Sequence, residues 1–379
     1  LSMNKWFRKT SIDGFGAGQD TEHWELTNAQ GKTLRSYPVH VETGKHADIF
    51  SFKPAKAVDY IASVKKMRTM REKFFAKPKP HMANCPICRE STKKSKWQVT
   101  IYGGKYHQCD TCGHCYIINR PSKEEVEDFY AHSTTYHTTY TNKRILKERI
   151  KQIAIPKVKW VVEQYKRKYG REPRSILDIG AGAGHFVYAC RQLGIKSQGI
   201  EVSDASRGFC KDIFGFELDN CDVSKDWARY RDFDIVTFWG VIEHVTSPIE
   251  LLSSAYRILK GRQGLVVCEV PHWNCMSTVL QKASPHIVVR HLDPMGHINV
   301  FTENSLISTY EQSGFKPVSA WYYGMDFYES ISDLMYRLKD DCAVKLLSGM
   351  MNEAQYIFDR GRLSDTIILA AAPLPKPIK

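Results

Sequence analysis

The stretch ILDIGAGAGHF, residues 176–186, decides the fold class. An apolar run comes first, a turn of alternating glycine and alanine follows, and a helical pattern then continues through HFVYACRQLG. Glycine lets the chain turn sharply, and it lets a ligand approach main-chain N–H groups at the start of a helix. The stretch therefore predicts a strand, a ligand-binding turn and a helix, in that order.

The alternation of strand and helix continues toward the end of the sequence. The predicted strands are SILDIG from residue 175, SQGIEV from 197, FDIVTFW from 233, GLVVCEV from 264, KPVSAWY from 316 and DTIILAAA from 365. Helical patterns lie between most of them, which is typical of a doubly wound α/β sheet with helices on both faces. Residues 272–300 predict a long functional loop, and residues 325–361 predict inserted helices.

Three classes of ligand compete for the glycine turn. A phosphate-binding loop would end in Lys-Ser or Lys-Thr, which is absent here, and a dinucleotide fingerprint would need glycine where His185 stands. S-adenosylmethionine fits better because it carries no phosphate. Asp178 would help to hold its ammonium through the loop. Glu201, at the end of the next strand, would accept hydrogen bonds from both ribose hydroxyls.

The adenine end of the same ligand has weaker candidates. Asp222 follows a predicted third strand and would accept from the adenine amino group. Phe238 or Trp239 would pack on the adenine ring, with core packing as the equally weighted alternative. The full predicted cofactor set is Asp178, Gly180, Gly182, Gly184, Glu201, Asp222, Phe238 and Trp239.

Two Cys-x-x-Cys pairs lie upstream of the glycine turn and are separated by twenty residues. Four thiolates at this spacing form the closed tetrahedral shell of structural zinc. The predicted ligands are Cys85, Cys88, Cys109 and Cys112. Cys115 extends the second pair toward an iron–sulfur pattern, which is the weaker alternative. His107 or His114 could replace a cysteine, although four well-spaced thiols make this unnecessary.

The chain of 379 residues carries a formal charge of +13 that is unevenly spread. Residues 1–80 hold 15 Lys and Arg against 8 Asp and Glu, residues 81–170 hold 17 against 8, and the remainder 22 against 25. A basic first half can attract nucleic acid, anionic lipid or phosphate-bearing substrates, or it can be solvated surface. Eleven cysteines without a visible export signal or membrane-spanning run predict a reduced, cytoplasmic protein.

Four units are predicted along the chain. Residues 1–80 are a basic extension of unknown role, with a hairpin around the turn AQGK and a helix after Ala55. Residues 81–120 are the zinc ribbon, and residues 121–170 are a helical linker or lid, kinked at Pro156. Residues 171–379 are the cofactor-binding domain. Weaker candidates for the lid itself are Tyr136, His137 and Tyr140.

Several of these stretches together resemble a known family. ILDIGAGAGHF, GIEVS, FDIVTFWGVIEHV and GLVVCEVP are similar to the ordered motifs of class I S-adenosylmethionine-dependent methyltransferases, over about residues 171–373. The resemblance implies a Rossmann-like sheet. GHINVFTENSLISTYEQSGF resembles the bacterial branch that acts on small molecules and sugars, and the cysteine segment resembles a zinc ribbon and linker found in part of that branch.

Two departures from the family qualify what the resemblance implies. Sugar C-methyltransferases with this ribbon usually carry a further large C-terminal domain, whereas only a helical insert and one strand follow residue 325 here. Ubiquinone-type O-methyltransferases carry a glutamate that can join Glu243 and His244 in metal binding, and Gly240 stands at its position. Gly240 therefore argues against a second, catalytic metal.

Methyl transfer is an in-line displacement in which a base can remove the acceptor proton. We favour His244 as this base, with His291 or His297 next and Glu243 orienting an imidazole. The sequence thus predicts O-methylation of a small-molecule, sugar or glycan acceptor. The basic first 170 residues keep an RNA methyltransferase as an alternative, and a non-catalytic protein with the same cofactor fold is a second alternative.

Overall fold

The computed structural model describes residues 5–9, 21–28, 30–132, 141–287 and 290–375. Its strands are β1 (Lys5–Lys9), β2 (Thr21–Thr27), β3 (Thr33–Thr43), β4 (Ser95–Ile101), β5 (Gly104–Cys109), β6 (Cys115–Ile117), β7 (Ser175–Ile179), β8 (Lys196–Ile200), β9 (Ile235–Trp239), β10 (Leu265–Pro271), β11 (Asn299–Val300), β12 (Phe315–Tyr323) and β13 (Thr366–Pro373). Its helices are α1 (Ala57–Phe75), α2 (Lys123–His132), α3 (Leu146–Arg149), α4 (Ile155–Tyr169), α5 (His185–Gln192), α6 (Asp204–Phe214), α7 (Val223–Asp226), α8 (Pro248–Leu259), α9 (Met276–Ala283), α10 (Glu303–Gln312), α11 (Asp326–Leu338), α12 (Cys342–Leu347) and α13 (Met351–Arg360).

The larger sheet has the strand order β1-β2-β3-β12-β13-β10-β9-β7-β8. Strands β8, β7, β9 and β10 run parallel, and β13 lies antiparallel between β10 and β12. All six strands predicted from the sequence form, so the α/β prediction is confirmed. The predicted third strand before Asp222 is wrong, because the described residues there form only an isolated bridge between Ile200 and Asp219.

Both faces of the parallel strands are buried. On one face, Ile176 and Ile235 pack with residues of α4 and α5, and on the other, Leu177 and Val236 pack with residues of α8 and α10. Successive strand residues point to opposite faces, so a strand covered on both sides is apolar throughout its length. This explains why the sequence shows continuous apolar runs there, and each fully buried aliphatic side chain contributes about 1.5–3 kcal/mol.

The N-terminal extension is part of the larger sheet. The predicted hairpin forms as β2 and β3, and β3 pairs in parallel with β12 over Ser319–Tyr322. The chain then crosses the carboxyl edge of the sheet as residues 44–56, which we call the N-terminal segment. The main-chain N–H of Gly44 donates to Tyr322 O at 2.8 Å, and Trp321 Nε1 donates to Gly44 O at 2.8 Å. The predicted helix follows as α1.

The linker helix changes geometry before Pro156. Residues Ile150–Ala154 form a π-helical turn between α3 and α4, and Pro156 stands in the first turn of α4. Proline lacks the N–H that would continue the preceding turn, and its ring clashes with the carbonyl four residues earlier. The regular α-helical pattern is therefore interrupted here, and the kink itself stays a prediction. The lid candidates Tyr136, His137 and Tyr140 lie outside the described residues.

The predictions for residues 325–361 and for residues 272–300 had different outcomes. The predicted inserted helices of residues 325–361 form as α11, α12 and α13. Residues 272–300, predicted as a loop, include the helix α9 and the short strand β11. Every helix in the described part of the chain is too short or too polar to cross a membrane.

Candidate active site and cysteine cluster

The glycine turn after β7 has the shape that the sequence predicted. Gly182 and Gly184 adopt φ of +52° and +81°, a conformation that side chains disfavour. A Cβ at Gly184 would lie 2.5 Å from Cys210 Sγ, so that glycine lets α5 pack closely. A Cβ at Gly182 would meet none of the described atoms within 4 Å. The turn is therefore tight on its inner side and open on the side that faces a cavity.

Glu201 holds this turn in place. Its Oε2 accepts from the main-chain N–H of Gly182 at 2.8 Å, and its Oε1 accepts from that of Ser203 at 2.8 Å. The side chain is buried at the end of β8. Each carboxylate oxygen keeps a further lone pair, so the predicted contact with ribose hydroxyls stays a prediction.

A cavity of about 380 Å³ opens from the glycine turn across the carboxyl edge of the sheet. Its volume suits a small ligand rather than a polymer. One side is the turn itself, Gly180–Ala183, with Asp178 and Trp239 beside it. The opposite side comes from the N-terminal segment and from the inserted helices. Residues on that side are Lys45, Ala47, Ile49, Phe52, Lys53, Gly324, Met325, Tyr328, Met351, Asn352 and Gln355.

Asp178 is the buried acid at the cofactor end. Its Oδ1 accepts from Thr237 Oγ1 at 2.7 Å, and burial raises the pKa of its carboxyl from 3.8 to about 7. A cation placed beside it would restore the charged form. Two of the predicted adenine contacts are placed less favourably. Phe238 lies on the opposite face in the main core, and Asp222 caps α7 at the surface, bonding Ser224 at 3.0 Å.

Glu243, His244 and His297 form a compact group on the cavity wall, with ligand atoms within 4.8 Å of one another. The Nδ1–H of His244 donates to Gly296 O at 2.8 Å, and that of His297 donates to His291 O at 2.6 Å. Both imidazoles therefore keep a lone pair on Nε2. Glu243 Oε1 lies 3.5 Å from His244 Nε2. The three residues could share a proton or hold an ion.

Burial sets the protonation of this group. It raises the pKa of the Glu243 carboxyl to about 8 and lowers the pKa of the His244 imidazole to about 3. The pKa of His297 is also lowered, again chiefly by burial. Glu243 Oε2 is buried without a hydrogen-bond partner among the described residues. The imidazoles are thus neutral at physiological pH. The Glu243 carboxyl is mainly protonated there, and its ionised form is the strongest base of the three.

His291 lies apart from the group that it was predicted to join. It is fully buried behind the cavity wall, where its Nε2 lies 2.8 Å from Thr278 Oγ1 and 3.3 Å from Cys275 Sγ. The residues that line the cavity do not include it. Its main-chain carbonyl orients His297, so its position supports the site without reaching the reacting atoms.

The sequence reasoning missed a second polar group at the carboxyl end of β10. Glu269 Oε2 pairs with Lys157 Nζ at 2.7 Å and accepts from the hydroxyl of Tyr323 at 2.6 Å. The Lys157 ammonium also lies 4.6 Å from the centroid of the Trp239 ring. A lone acid in the apolar strand GLVVCEV was the available signal, since a buried charge needs a partner or a function.

The four predicted metal ligands converge. Cys85 Sγ lies 3.7 Å from Cys112 Sγ, and Cys88 Sγ lies 3.5 Å from Cys109 Sγ. Tetrahedral zinc with Zn–S bonds of about 2.3 Å separates its sulfurs by about 3.8 Å, so the cluster fits a zinc ribbon. Each knuckle is followed by a residue with positive φ, Arg89 at +61° and Gly113 at +71°.

The other ligand candidates have different roles. Cys115 is fully buried in β6, in a core with Ile101 and Val300, and is not one of the four clustered sulfurs. His107 Nδ1 lies 3.3 Å from Ser95 Oγ. His114 Nε2 lies 3.2 Å from Asn299 Oδ1. Core packing therefore accounts for Cys115, the cysteine that the spacing left unexplained.

The ribbon is joined to the larger fold by main-chain pairing. Its sheet has the order β11-β6-β5-β4, and β11 belongs to the segment that carries His297. Asn304 Nδ2, at the start of α10, donates to Cys112 O at 2.6 Å. The α1 residue Arg71 clamps the same segment by a bidentate pair with Asp293 at 2.9 and 2.6 Å. The ribbon and α1 thus brace the loop that presents His297 to the cavity.

Comparison with known proteins agrees with this geometry. Residues 148–320 match the family described as a methyltransferase domain. The chain contains a class I S-adenosylmethionine-dependent methyltransferase domain. Ubiquinone biosynthesis O-methyltransferase of a Ruegeria species, strain TM1040, is 27% identical over 38% of this chain and 60% of its own length. The enzyme of the same name from Roseobacter denitrificans is 29% identical over the same shares.

The methyltransferase domain thus spans less than two thirds of these curated relatives, and the N-terminal units lie outside the matched family region. Among solved structures, the plantazolicin methyltransferase BamL, in complex with a triazolic desmethylPZN analog and SAH, superposes with a TM-score of 0.43 at 15% identity. That superposition covers 67% of this chain and 95% of the other chain.

Proposed function

We propose that the protein methylates an oxygen nucleophile on a small molecule, using S-adenosylmethionine. The observation that carries this proposal is the cavity. One continuous cavity joins the open side of the glycine turn to Glu243, His244 and His297. A cofactor bound at the turn and an acceptor bound near Glu243 would share that space, as in-line transfer requires.

The residues of the glycine turn fit the cofactor. Gly182 leaves open space above the turn, and Asp178 offers a carboxylate for an ammonium. Two lining residues, His185 and Trp239, bury a polar nitrogen without a hydrogen-bond partner among the described residues. Unpaired buried donors are costly, and a polar ligand would satisfy them. When bound, S-adenosylmethionine supplies an electrophilic methyl group.

Glu243 and His244 are proposed to receive the acceptor proton together. His244 Nε2 offers a fixed lone pair, and the ionised form of Glu243 is the stronger base because burial raises its pKa to about 8. Glu243 acts as a base only in that ionised form, which is the minor form at neutral pH. His297 completes the wall and keeps the site polar. This modifies the sequence-based hypothesis, in which Glu243 only oriented His244. A positioned base contributes about 10²–10⁴-fold to such a step.

The zinc ribbon is proposed to be structural. All four sulfurs face one another, so a bound ion would have no open coordination position for an acceptor. The ribbon contacts the rest of the fold through β11 and α10, among other elements. Zinc would therefore act on the cavity by holding the segment that carries His297.

The small-molecule acceptor is favoured over RNA by what covers the cavity. The N-terminal segment is anchored across it, since Ala47 N donates to Asn352 Oδ1 at 3.2 Å and Asp48 N donates to Gln152 Oε1 at 2.7 Å. The hydroxyl of Tyr328 donates to Pro54 O at 3.1 Å. A folded RNA would have to displace these contacts, whereas a small molecule would fit beneath them.

Calorimetric titration with S-adenosylhomocysteine, the demethylated product, tests the cofactor part of the proposal. We expect one binding site per chain, and weaker binding in Glu201→Ala, because loss of the carboxylate releases the main-chain N–H of Gly182. Glu250→Ala, at a surface position of α8, is the matched control and should bind normally. Absence of binding by the folded wild-type protein would contradict the proposal.

A further inference from the structure

The cavity is rich in cationic side chains. Five of them line it: Lys45, Lys53, Arg149, Lys157 and Arg290. Four of the five come from the basic first 170 residues, and two of these, Lys45 and Lys53, belong to the N-terminal segment and precede the matched family region. Part of the positive charge of the basic first half therefore lines the cavity, where it can act on a ligand.

The carboxylates nearby are already engaged. Glu269 pairs with Lys157 at 2.7 Å. Arg290 pairs with Glu329 at 3.0 Å and also with Asp365. These pairs neutralise the Lys157 ammonium and the Arg290 guanidinium and hold both groups in place. Among the described residues, no carboxylate forms an ion pair with Lys45 or Lys53, the two lysines of the N-terminal segment that line the cavity.

Lys53 is a lining cation that no carboxylate of the described residues pairs with, and Lys45 contacts only the ring of Tyr323, at 4.6 Å. Within the part of the chain that the structure describes, the Lys53 ammonium forms no hydrogen bond or ion pair. Burial, with the positive charge of Arg290 next, lowers the pKa of Lys53 to about 8, so it is still mainly protonated at neutral pH. The side chain is partly buried, and an anionic ligand in the cavity would compensate its unpaired charge.

The position of Lys53 is fixed by its neighbours. The hydroxyl of Tyr328 donates to the carbonyl of Pro54, the next residue, and Phe50 makes an edge contact with the Tyr328 ring at 5.9 Å. The main-chain N–H of Lys53 donates to Ile49 O at 3.0 Å. The lysine is thus held against α11, and Phe52, Met325 and Tyr328 give the surrounding wall an apolar and aromatic character.

We propose that the acceptor carries an anionic group, a carboxylate or a phosphate, that Lys53 binds at the end of the cavity formed by the N-terminal segment and α11. The inference rests on the proposed function, because it assigns that end of the cavity to the acceptor. The apolar wall would hold the body of the acceptor, and its nucleophilic oxygen would extend toward Glu243. The N-terminal extension then determines which acceptors are used.

One competing source of negative charge is the cofactor itself, since the methionine part of S-adenosylmethionine has a carboxylate. The test separates the two. Protein saturated with S-adenosylhomocysteine is titrated by calorimetry with phenyl phosphate, benzoate and the neutral benzyl alcohol at constant ionic strength. The same titrations are repeated without the cofactor product, and binding of the product is measured separately for each variant.

We expect at least one anionic probe to bind and benzyl alcohol to bind much more weakly. Lys53→Gln should weaken binding of the anionic probe by about tenfold or more, because a charge-assisted hydrogen bond is lost. Lys53→Arg should retain binding within a few-fold. The control Lys56→Gln, an exposed lysine three residues along, should match the wild type. Preference for phenyl phosphate or for benzoate identifies the anionic group.

Three results would overturn the inference. Neither anionic probe binds, or benzyl alcohol binds as tightly as the anionic probes. The third is that Lys53→Gln weakens binding of S-adenosylhomocysteine but not binding of the anionic probes. The last result would assign Lys53 to the cofactor carboxylate. Each of these is independent of the proposed function, which fails instead if wild-type protein does not bind S-adenosylhomocysteine.

Discussion

The cysteine cluster and the cavity both gather reactive side chains from distant parts of the chain, but they orient them differently. The four sulfurs face one another, and a single ion would satisfy all of them. In the cavity, Asp178, Glu243 and Lys53 face a shared space. The contrast teaches that convergence alone does not indicate catalysis. A group whose polar atoms are satisfied internally stabilises the fold, whereas one that faces space can act on a ligand.

The largest effect should come from breaking the cysteine cluster. Cys112→Ser removes one of four ligands, and structural zinc sites supply much of the folding energy of small ribbons, about 10–16 kcal/mol in isolated peptides. We expect loss of bound zinc and a lower melting temperature, measured by metal analysis and thermal unfolding. S-adenosylhomocysteine binding should fall only as the folded fraction falls. A zinc-free protein that stays folded but no longer transfers methyl groups would make the metal part of the chemistry.

The next effect tests the cavity side. Glu243→Gln keeps the shape of the side chain and removes its basicity, so we expect kcat to fall by about 10²–10⁴-fold. Affinity for S-adenosylhomocysteine should change little, because the glycine turn is untouched. His291→Gln is the control, since His291 is buried behind the wall, and it should lower stability rather than the rate per folded molecule. Equal rate losses in both variants would contradict the assignment of the proton acceptor.

A smaller effect is expected from pH. The pKa of Asp178 is raised from 3.8 to about 7, so in the free protein its contribution to folding is lost as the pH rises toward 7. Its charged form is the one that attracts an ammonium. Affinity for S-adenosylhomocysteine should therefore increase by up to about tenfold between pH 6 and pH 8, measured by calorimetry. Asp178→Asn should remove this dependence; an unchanged slope in the variant would show that another group is responsible.

The smallest effect concerns Cys115, which is adjacent to the cluster in sequence but separate from it in space. Cys115→Ala should lower the free energy of unfolding by about 1 kcal/mol, because it removes one buried atom from a core. Zinc content, measured by metal analysis, should stay at one ion per chain. Loss of the ion in this variant would mean that Cys115 is a ligand after all.

The sequence predicted the features that depend on local pattern. Apolar runs indicated each strand of the parallel sheet, and the spacing of the two cysteine pairs indicated their convergence. Glycine at residues 180, 182 and 184 indicated a tight turn, because few other residues tolerate a positive φ. In each case the physical cause lies within a few residues of the signal.

The features that it missed depend on contacts between distant segments. Nothing in the residues around Lys53 shows that they cross the carboxyl edge of the parallel strands β7 to β10, which lie beyond residue 170. The same holds for His291, which shares a histidine-rich segment with His297 but is turned to the opposite side of the wall. Periodicity cannot distinguish these two histidines, because the segment lacks a regular repeat. Among the features that were missed, only Glu269, a charge in an apolar strand, had a local signal in the sequence.

The central claim is that the protein transfers a methyl group to a small acceptor bound in the cavity. The most direct measurement supplies S-adenosylmethionine labelled in its methyl group, together with a cell extract separated into small-molecule and RNA fractions. The account predicts that wild-type protein labels the small-molecule fraction and that Glu243→Gln reduces this labelling by at least about 10²-fold. Label that enters the RNA fraction, or labelling that is unaffected by Glu243→Gln, would contradict the account.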